Sequence, residues 1–252
     1  MHVRRAVNTP KYYPPRKLVP LLMRAGFYGV SCAGHIVFDH ALVSALIERW
    51  RPETHTFHMP MGECTITLQD VALQLGLPID GTPVIGSFPT NINEFCMRLF
   101  GKTPTRADLK GNKIKLSWLA KEFPDDSIPE NATQQVLEQY TRAYIMRLIG
   151  GILFCDYSSQ LVSCMFLPLI EDLDKCRTYS WGSAVLAYLY REMCQATDYT
   201  KSDIGGCIHL LHVWAWDRFP RLRPKIVRRH KSRIPVLEED DVYRLPPPYA
   251  FR

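Results

Sequence analysis

The chain has 252 residues, of which 46% are hydrophobic and 22% are charged. This composition excludes a wholly disordered chain, and a domain of this length buries a core without disulfides or metals. The basic first 15 residues contain no apolar run, which excludes a signal peptide. The longest apolar stretch, residues 161–170, is about half a membrane span and contains Pro168, so we expect no transmembrane helix.

Eight cysteines are spread along the chain, and no two of them form a C-x-x-C pair. Most lie among apolar residues, as Cys155 and Cys164 do, and this setting is typical of reduced, buried thiols. We therefore expect a reducing compartment, either cytosolic or nuclear.

The net charge of +6 is concentrated at the two ends. Residues 1–38 contain six Lys/Arg and no acid, and residues 218–233 contain eight Lys/Arg and no acid. Residues 39–217 contain 15 Lys/Arg and 21 Asp/Glu, and residues 238–241 are all acidic. This asymmetry indicates a contact with nucleic acid or with an acidic protein, or else a solvated surface.

In chain order, the Pro- and Arg-rich start predicts an arm, and the first helix begins at Leu18. Asp39 predicts the N-cap of the next helix, which we expect Pro52 to end. Alternating residues 55–59 and 64–67 then predict a β-hairpin.

A capping box formed by Thr67 and Asp70 predicts a further helix, and Gly76 predicts its end. Downstream, we predict short helices at 93–100 and 116–123 around a polar Lys/Gly stretch, the strongest helix at 133–154, a broken apolar segment at 161–170, a helix at 181–194 capped by Ser180, and a last helix capped by Asp203 that ends at Arg218.

No internal repeat or low-complexity linker interrupts the chain between residues 18 and 219. We therefore predict a single, mainly helical, all-α globular domain with one small β-hairpin. The domain core spans residues 18–219. A basic N-terminal arm, residues 1–17, precedes it, and a basic, then acidic and Pro-rich segment, residues 220–252, follows it.

Histidines and cysteines occur near one another in three places but lack the spacing of a zinc site. The three groups are His209 and His212 beside Cys207; Cys32 and His35; and His55, His58 and Cys64. Zinc sites place four converging ligands in tight pairs, so we interpret His209 and His212 as satisfied core histidines. We predict no metal site.

Motifs for nucleophilic catalysis and nucleotide binding are absent from the sequence. Lys121, Lys175 and Lys201 lie in polar surroundings without a recognisable cofactor cradle. We predict no catalytic residue, no cofactor and no enzymatic activity.

The basic segment near the C-terminus carries enough charge to neutralise phosphates. It would serve equally as a nuclear import signal, as a contact for an acidic partner, or as a solvated tail. Its basic residues are Arg218, Arg221, Arg223, Lys225, Arg228, Arg229, Lys231 and Arg233.

Several ordered stretches resemble the plant mobile domain family, including its MAINTENANCE OF MERISTEMS-like members. The most specific stretches are Gly62–Ala72 and Leu75–Gly81; further matches are Leu18–Leu22, Ala25–Phe27, Asp39–Leu42, Ala45–His58, Arg142–Ile145, Leu148–Gly151, Tyr179–Arg191, Gly205–Cys207 and Trp214–Pro220. They cover nearly the whole of residues 18–220.

The resemblance implies a plant nuclear protein related to transposon-borne domains. It further implies roles in silencing transposable elements, gene expression, genome integrity and meristem maintenance, with a phosphatase-7-like protein as partner. We therefore expect a non-enzymatic protein-interaction domain, and a domain that binds DNA or RNA directly through the basic C-terminal segment is the alternative.

The polar residues of the matched stretches are the candidates for partner binding, because packing accounts for most of the others. These candidates are Glu48, Arg49, Arg51, Glu53, His55 and Gln69. The same residues would alternatively tie the hairpin to its neighbouring helices.

Overall fold

The computed structural model describes residue 10 and residues 13–33, 36–158 and 160–222. Within them the chain is mainly helical, and two small antiparallel sheets lie between the helices. The α-helices are α1 (Val19–Ala25), α2 (Tyr28–Ser31), α3 (His40–Ile47), α4 (Leu68–Leu75), α5 (Ile92–Phe100), α6 (Leu116–Glu122), α7 (Gln134–Leu148), α8 (Leu173–Cys176), α9 (Trp181–Ala196) and α10 (Ile208–Arg218). The strands are β1 (Trp50–Arg51), β2 (Thr56–Met59), β3 (Gly62–Cys64), β4 (Leu109–Lys110), β5 (Lys113–Lys115) and β6 (Leu161–Ser163).

Local capping chemistry sets several helix ends where the sequence predicted them. The Asp39 carboxylate accepts the Leu42 amide at the start of α3, and Thr67 and Asp70 form a complete capping box before α4. Gly76 ends α4 in the left-handed region, with φ of 62°. These caps satisfy amides and carbonyls that the first and last turns leave without helical partners.

The predicted hairpin is confirmed and belongs to a three-stranded sheet in the order β1-β2-β3. Phe57 pairs with Trp50 on one side and with Cys64 on the other. Because β1 has only two residues, it has no alternating pattern to recognise. The prediction that Pro52 ends the preceding helix is wrong, since α3 already ends at Ile47.

A second three-stranded sheet, in the order β4-β5-β6, is an addition to the predicted fold. The polar stretch between α5 and α6 forms its β4-β5 hairpin, in which Lys110 pairs with Lys113. The third strand begins the apolar segment 161–170, which continues as a 3-10 helix, Cys164–Ile170.

Helix α7 forms the centre of the fold and continues as a π-helical turn, Ile149–Leu153. A β-carbon at Gly150 would lie 2.6 Å from Cβ of Val162, so this glycine allows β6 to pack directly on the helix.

Two predicted caps are wrong. The last helix begins at Ile208 after Cys207, and Asp203 lies upstream of the turn at Gly206, whose φ is 87°. Ser180 does precede α9, but its hydroxyl donates to the Thr82 carbonyl at 3.2 Å instead of capping the helix. Both side chains lack the local geometry that capping requires.

One continuous hydrophobic core joins the helices and both sheets. The largest fully buried side chains include Trp50, Trp181, Trp214 and Tyr144. All eight cysteines are present as free thiols. Across the part of the chain that the structure describes, no helix is both long and apolar enough to span a membrane.

Candidate partner-binding surface

The six polar residues predicted to bind a partner are all exposed. Five of them lie within residues 48–55, which run from the end of α3 through β1 into the turn before β2. Gln69 lies apart from these in sequence, in the first turn of α4. We call the six together the hairpin surface.

The tight turn between β1 and β2 gives the hairpin surface its shape. His55 closes the turn with φ of 53°, the left-handed region, and its amide donates to the Arg51 carbonyl at 2.8 Å. The His58 amide donates to the Arg49 carbonyl, also at 2.8 Å. A non-glycine residue holds the left-handed conformation at an energetic cost, so the surrounding contacts must hold it in place.

Trp50 anchors the hairpin surface to the core below it. Its side chain is 1% exposed, and its indole N–H lies 3.3 Å from Sγ of Cys194 on α9. The indole also packs edge-on against Phe57, with ring centroids 4.9 Å apart. Phe57 in turn stacks on Trp214 of α10 at 5.0 Å. These contacts fix the sheet to the two C-terminal helices.

Tyr190 of α9 fixes the turn from the other side. The His55 ring packs beside Trp50 and Tyr190, at centroid distances of 6.1 Å and 5.5 Å, and those two rings contact each other at 5.1 Å. The Tyr190 hydroxyl donates to the Ile66 carbonyl at 2.5 Å, while Thr65 donates to the His55 carbonyl at 2.7 Å. Burial raises the pKa of Tyr190, so its hydroxyl keeps the proton that it donates.

The six residues therefore divide into two groups. Arg49 donates to the Ala45 carbonyl at 2.9 Å, and His55 packs on the aromatic rings, so both hold the surface together. The other four are Glu48, Arg51, Glu53 and Gln69. Within the described residues their side chains form no hydrogen bond or ion pair.

This arrangement is suited to binding a partner. Two carboxylates, one guanidinium and one amide present donors and acceptors of both charge signs on a rigid support. Such groups form the polar rim of a protein–protein interface, where they set register and specificity. The sequence located these residues but contained no local signal for Tyr190, which lies 125 positions from Thr65.

His212 is a satisfied core histidine, as predicted. Its Nε2 accepts the Asp39 amide at 2.9 Å, and its Nδ1 lies 3.1 Å from the Ile208 carbonyl. Burial lowers the pKa of His212 and keeps the ring neutral. Among the described residues, no group of three or more His, Cys, Asp or Glu side chains is arranged to hold a metal ion. His35 lies outside those residues.

Only two residues of the predicted basic segment lie within the described part of the chain. Arg218 at the end of α10 pairs with Asp70 at 3.3 Å, and Arg221 is exposed. The other six, from Arg223 to Arg233, lie outside the described residues, as do the acids at 238–241 and most of the predicted arm. The proposed nucleic-acid or import role of this segment stays a prediction.

The sequence matches the plant mobile domain over residues 26–245. The chain belongs to the plant mobile domain family. The match includes the hairpin surface, both sheets and every helix from α2 to α10.

Three curated relatives from Arabidopsis thaliana resemble this plant mobile domain. A protein named serine/threonine-protein phosphatase 7 long form homolog is 46% identical over 203 residues, covering 81% of this chain and 15% of the relative. Protein MAIN-LIKE 2 is 43% identical over 212 residues, covering 84% and 32%, respectively. Protein MAINTENANCE OF MERISTEMS is 40% identical over 216 residues, covering 85% and 45%. No solved structure matches.

The plant mobile domain thus spans less than half the length of each of these relatives. It occurs next to different amounts of additional chain in proteins with different names. What this chain shares with all three is the domain itself, so their similarity supports a property of the domain rather than of any whole protein.

Proposed function

We propose that this chain is a non-enzymatic protein-interaction domain, and that it binds its partner through the hairpin surface. The complexes would act in plant nuclei to regulate gene expression, silence transposable elements and maintain genome integrity and meristems. The resemblance to a relative named for meristem maintenance supports this setting.

The observation that carries the proposal is the contrast between a turn that is fixed by buried aromatic side chains and exposed polar side chains that have no partner within the described residues. Trp50 and its aromatic neighbours fix the turn. Glu48, Arg51 and Glu53 around the turn, and Gln69 on α4, are exposed, and their side chains form no hydrogen bond or ion pair within the described residues. A rigid surface loses little conformational entropy when it binds, which favours its use as an interface.

The partner that we propose is a phosphatase-7-like protein. One relative of this domain carries a phosphatase 7 name and is 46% identical to the chain. A partner surface for this site would offer its own acidic, basic and amide groups, because the hairpin surface contains all three.

Binding of the purified chain to a purified phosphatase-7-like protein tests the proposal by biolayer interferometry. We expect the triple variant E48A/R51A/E53A to weaken binding at least tenfold, because it removes three charged contacts. A matched control is E94A/E130A/K175A, which removes two acids and one base from exposed positions elsewhere.

Equal loss of binding in both triple variants would contradict a specific role for the hairpin surface. Absence of binding by the wild-type chain would remove the phosphatase-7-like partner. Circular dichroism of both variants checks that neither has lost the fold.

A further inference from the structure

Basic residues are concentrated in and around the second sheet, whereas the rest of residues 39–217 contains more acids than bases. Residues 101–121 contain six Lys/Arg and one acid, Asp108. The rest of residues 39–217 contains nine Lys/Arg and 20 Asp/Glu. Outside residues 101–121 the body is therefore net acidic, whereas this segment is net basic.

Strand pairing places three of these lysines on one face. Leu109, Ile114 and Val162 are neighbours across the three strands, and Ile114 and Val162 are buried against the core. Because side chains alternate along a strand, Lys110, Lys113 and Lys115 share the opposite, outer face. Lys110 and Lys113 are directly opposite each other.

Two of the six cations form an ion pair within the described residues. Lys102 pairs with Glu122 and Lys113 pairs with Asp156, each at 2.9 Å. Arg106, Lys110, Lys115 and Lys121 are exposed and form no ion pair with another described residue.

The charges of Lys115 and Lys121 act on the Asp108 carboxylate, but this carboxylate forms its hydrogen bonds with Thr105 rather than with either lysine. It accepts the Thr105 hydroxyl at 2.5 Å and the Thr105 amide at 3.0 Å. These hydrogen bonds, with smaller contributions from the charges of Lys115 and Lys121, lower the pKa of Asp108.

Such an arrangement costs stability, because like charges directly opposite in a sheet repel each other. Lysines do protect exposed sheet edges from pairing with other chains. Protection of the edge would explain Lys110, which lies on the edge strand β4. Lys113 and Lys115, however, lie on the central strand β5. Protection of the edge therefore does not account for them.

We propose that Arg106, Lys110, Lys113, Lys115 and Lys121 form a nucleic-acid-binding surface that contacts the phosphate backbone. We call it the basic hairpin surface. Lys113 and Lys115 are two residues apart on one strand, a spacing of about 6.8 Å. Along the axis of a DNA duplex the same distance covers two phosphate steps of one strand, at about 3.4 Å each.

No aromatic side chain is exposed between residues 101 and 121, since Trp118 is buried. Base stacking therefore contributes nothing here, and the surface binds phosphates without reading sequence. This role goes beyond the proposed protein-interaction function and does not depend on the basic segment near the C-terminus.

Fluorescence anisotropy with a labelled duplex DNA of about 20 base pairs tests the proposal on the full chain. Each phosphate contact contributes a slope of about −0.9 to the dependence of log affinity on log salt. We expect K110Q/K115Q to reduce that slope by about two and to weaken binding roughly 10- to 100-fold at 0.1 M salt.

The matched control is K175Q/K201Q, which removes the same charge from exposed positions outside the surface. We expect the control to keep its slope. Equal weakening of both variants would overturn the proposal, because net charge alone would then explain binding.

Two further arms separate the alternatives. In the first arm, K110Q/K115Q and K175Q/K201Q are each combined with R228Q/R229Q. K110Q/K115Q should still weaken DNA binding in this background, and loss of that weakening would assign DNA binding to the C-terminal segment instead. Polyglutamate replaces DNA in the last arm. If K110Q/K115Q lost polyglutamate binding but kept DNA binding, the surface would serve an acidic protein and the proposal would be wrong.

Discussion

The close approach of the α2 backbone to the end of α4 provides a sharp test of how the helices pack. At Gly29 of α2, a β-carbon would lie 2.5 Å from the Leu75 carbonyl oxygen and 2.7 Å from Cα of Gly76. Both atoms belong to the backbone of α4 or its C-cap, so Gly29→Ala must push α2 and α4 apart. Overpacking of this kind costs about 1–3 kcal/mol. The higher helix propensity of alanine offsets at most about 1 kcal/mol.

We therefore expect Gly29→Ala to lower the free energy of unfolding by about 1–2 kcal/mol. For a chain of this size, that loss lowers Tm by roughly 3–6 °C, measured by thermal circular dichroism. Gly111→Ala is the comparison, because Gly111 has a φ of 58° but no atom within 4 Å of the added carbon. It isolates backbone strain from crowding. A Gly29→Ala variant that melts at or above the wild-type temperature would refute the packing argument.

Two further predictions concern buried titratable groups. Burial lowers the pKa of His212 below its ordinary 6.5, so the unfolded chain binds this proton more readily than the folded one. Stability should consequently fall as pH drops below about 6.5, and His212→Gln, although less stable, should show a shallower fall in urea titrations between about pH 7 and pH 5. Burial also raises the pKa of Cys96, Cys176 and Cys207 to about 12. In the folded chain these three thiols should resist iodoacetamide at about pH 8, and mass spectrometry should find all eight cysteines labelled in urea; rapid labelling of the folded chain at Cys207 would contradict this.

The features of the fold that the sequence predicted correctly depend mostly on residues close to one another in the chain. The caps at Asp39 and Thr67 depend on atoms within three residues, so they could be recognised without knowing the tertiary structure. The candidate surface at residues 48–55 was found differently, as the polar residues of stretches that resemble the family, and the structure adds that these residues are exposed.

What the sequence did not predict depends on distant partners. Strand β6 pairs with β5 although Ser163 lies 50 positions after Lys113, and neither strand has more than three residues. Short strands become stable only when a neighbour is in place, so their own pattern is weak. The basic hairpin surface was missed for the same reason: the lysines at 110–115 looked like a polar loop until pairing placed them on one face.

The stacking of Phe57 on Trp214 has a consequence for how the domain forms during synthesis. The first sheet is complete by residue 64, yet the ring that covers its inner face arrives about 150 residues later, on the last helix. Until the ribosome has released α10, Phe57 lacks part of its apolar cover. Contacts between residues so far apart slow folding and leave partly folded chains prone to aggregation. We therefore expect nascent chains that stop before residue 208 to need chaperones, and expect the domain not to tolerate being expressed as two separate halves.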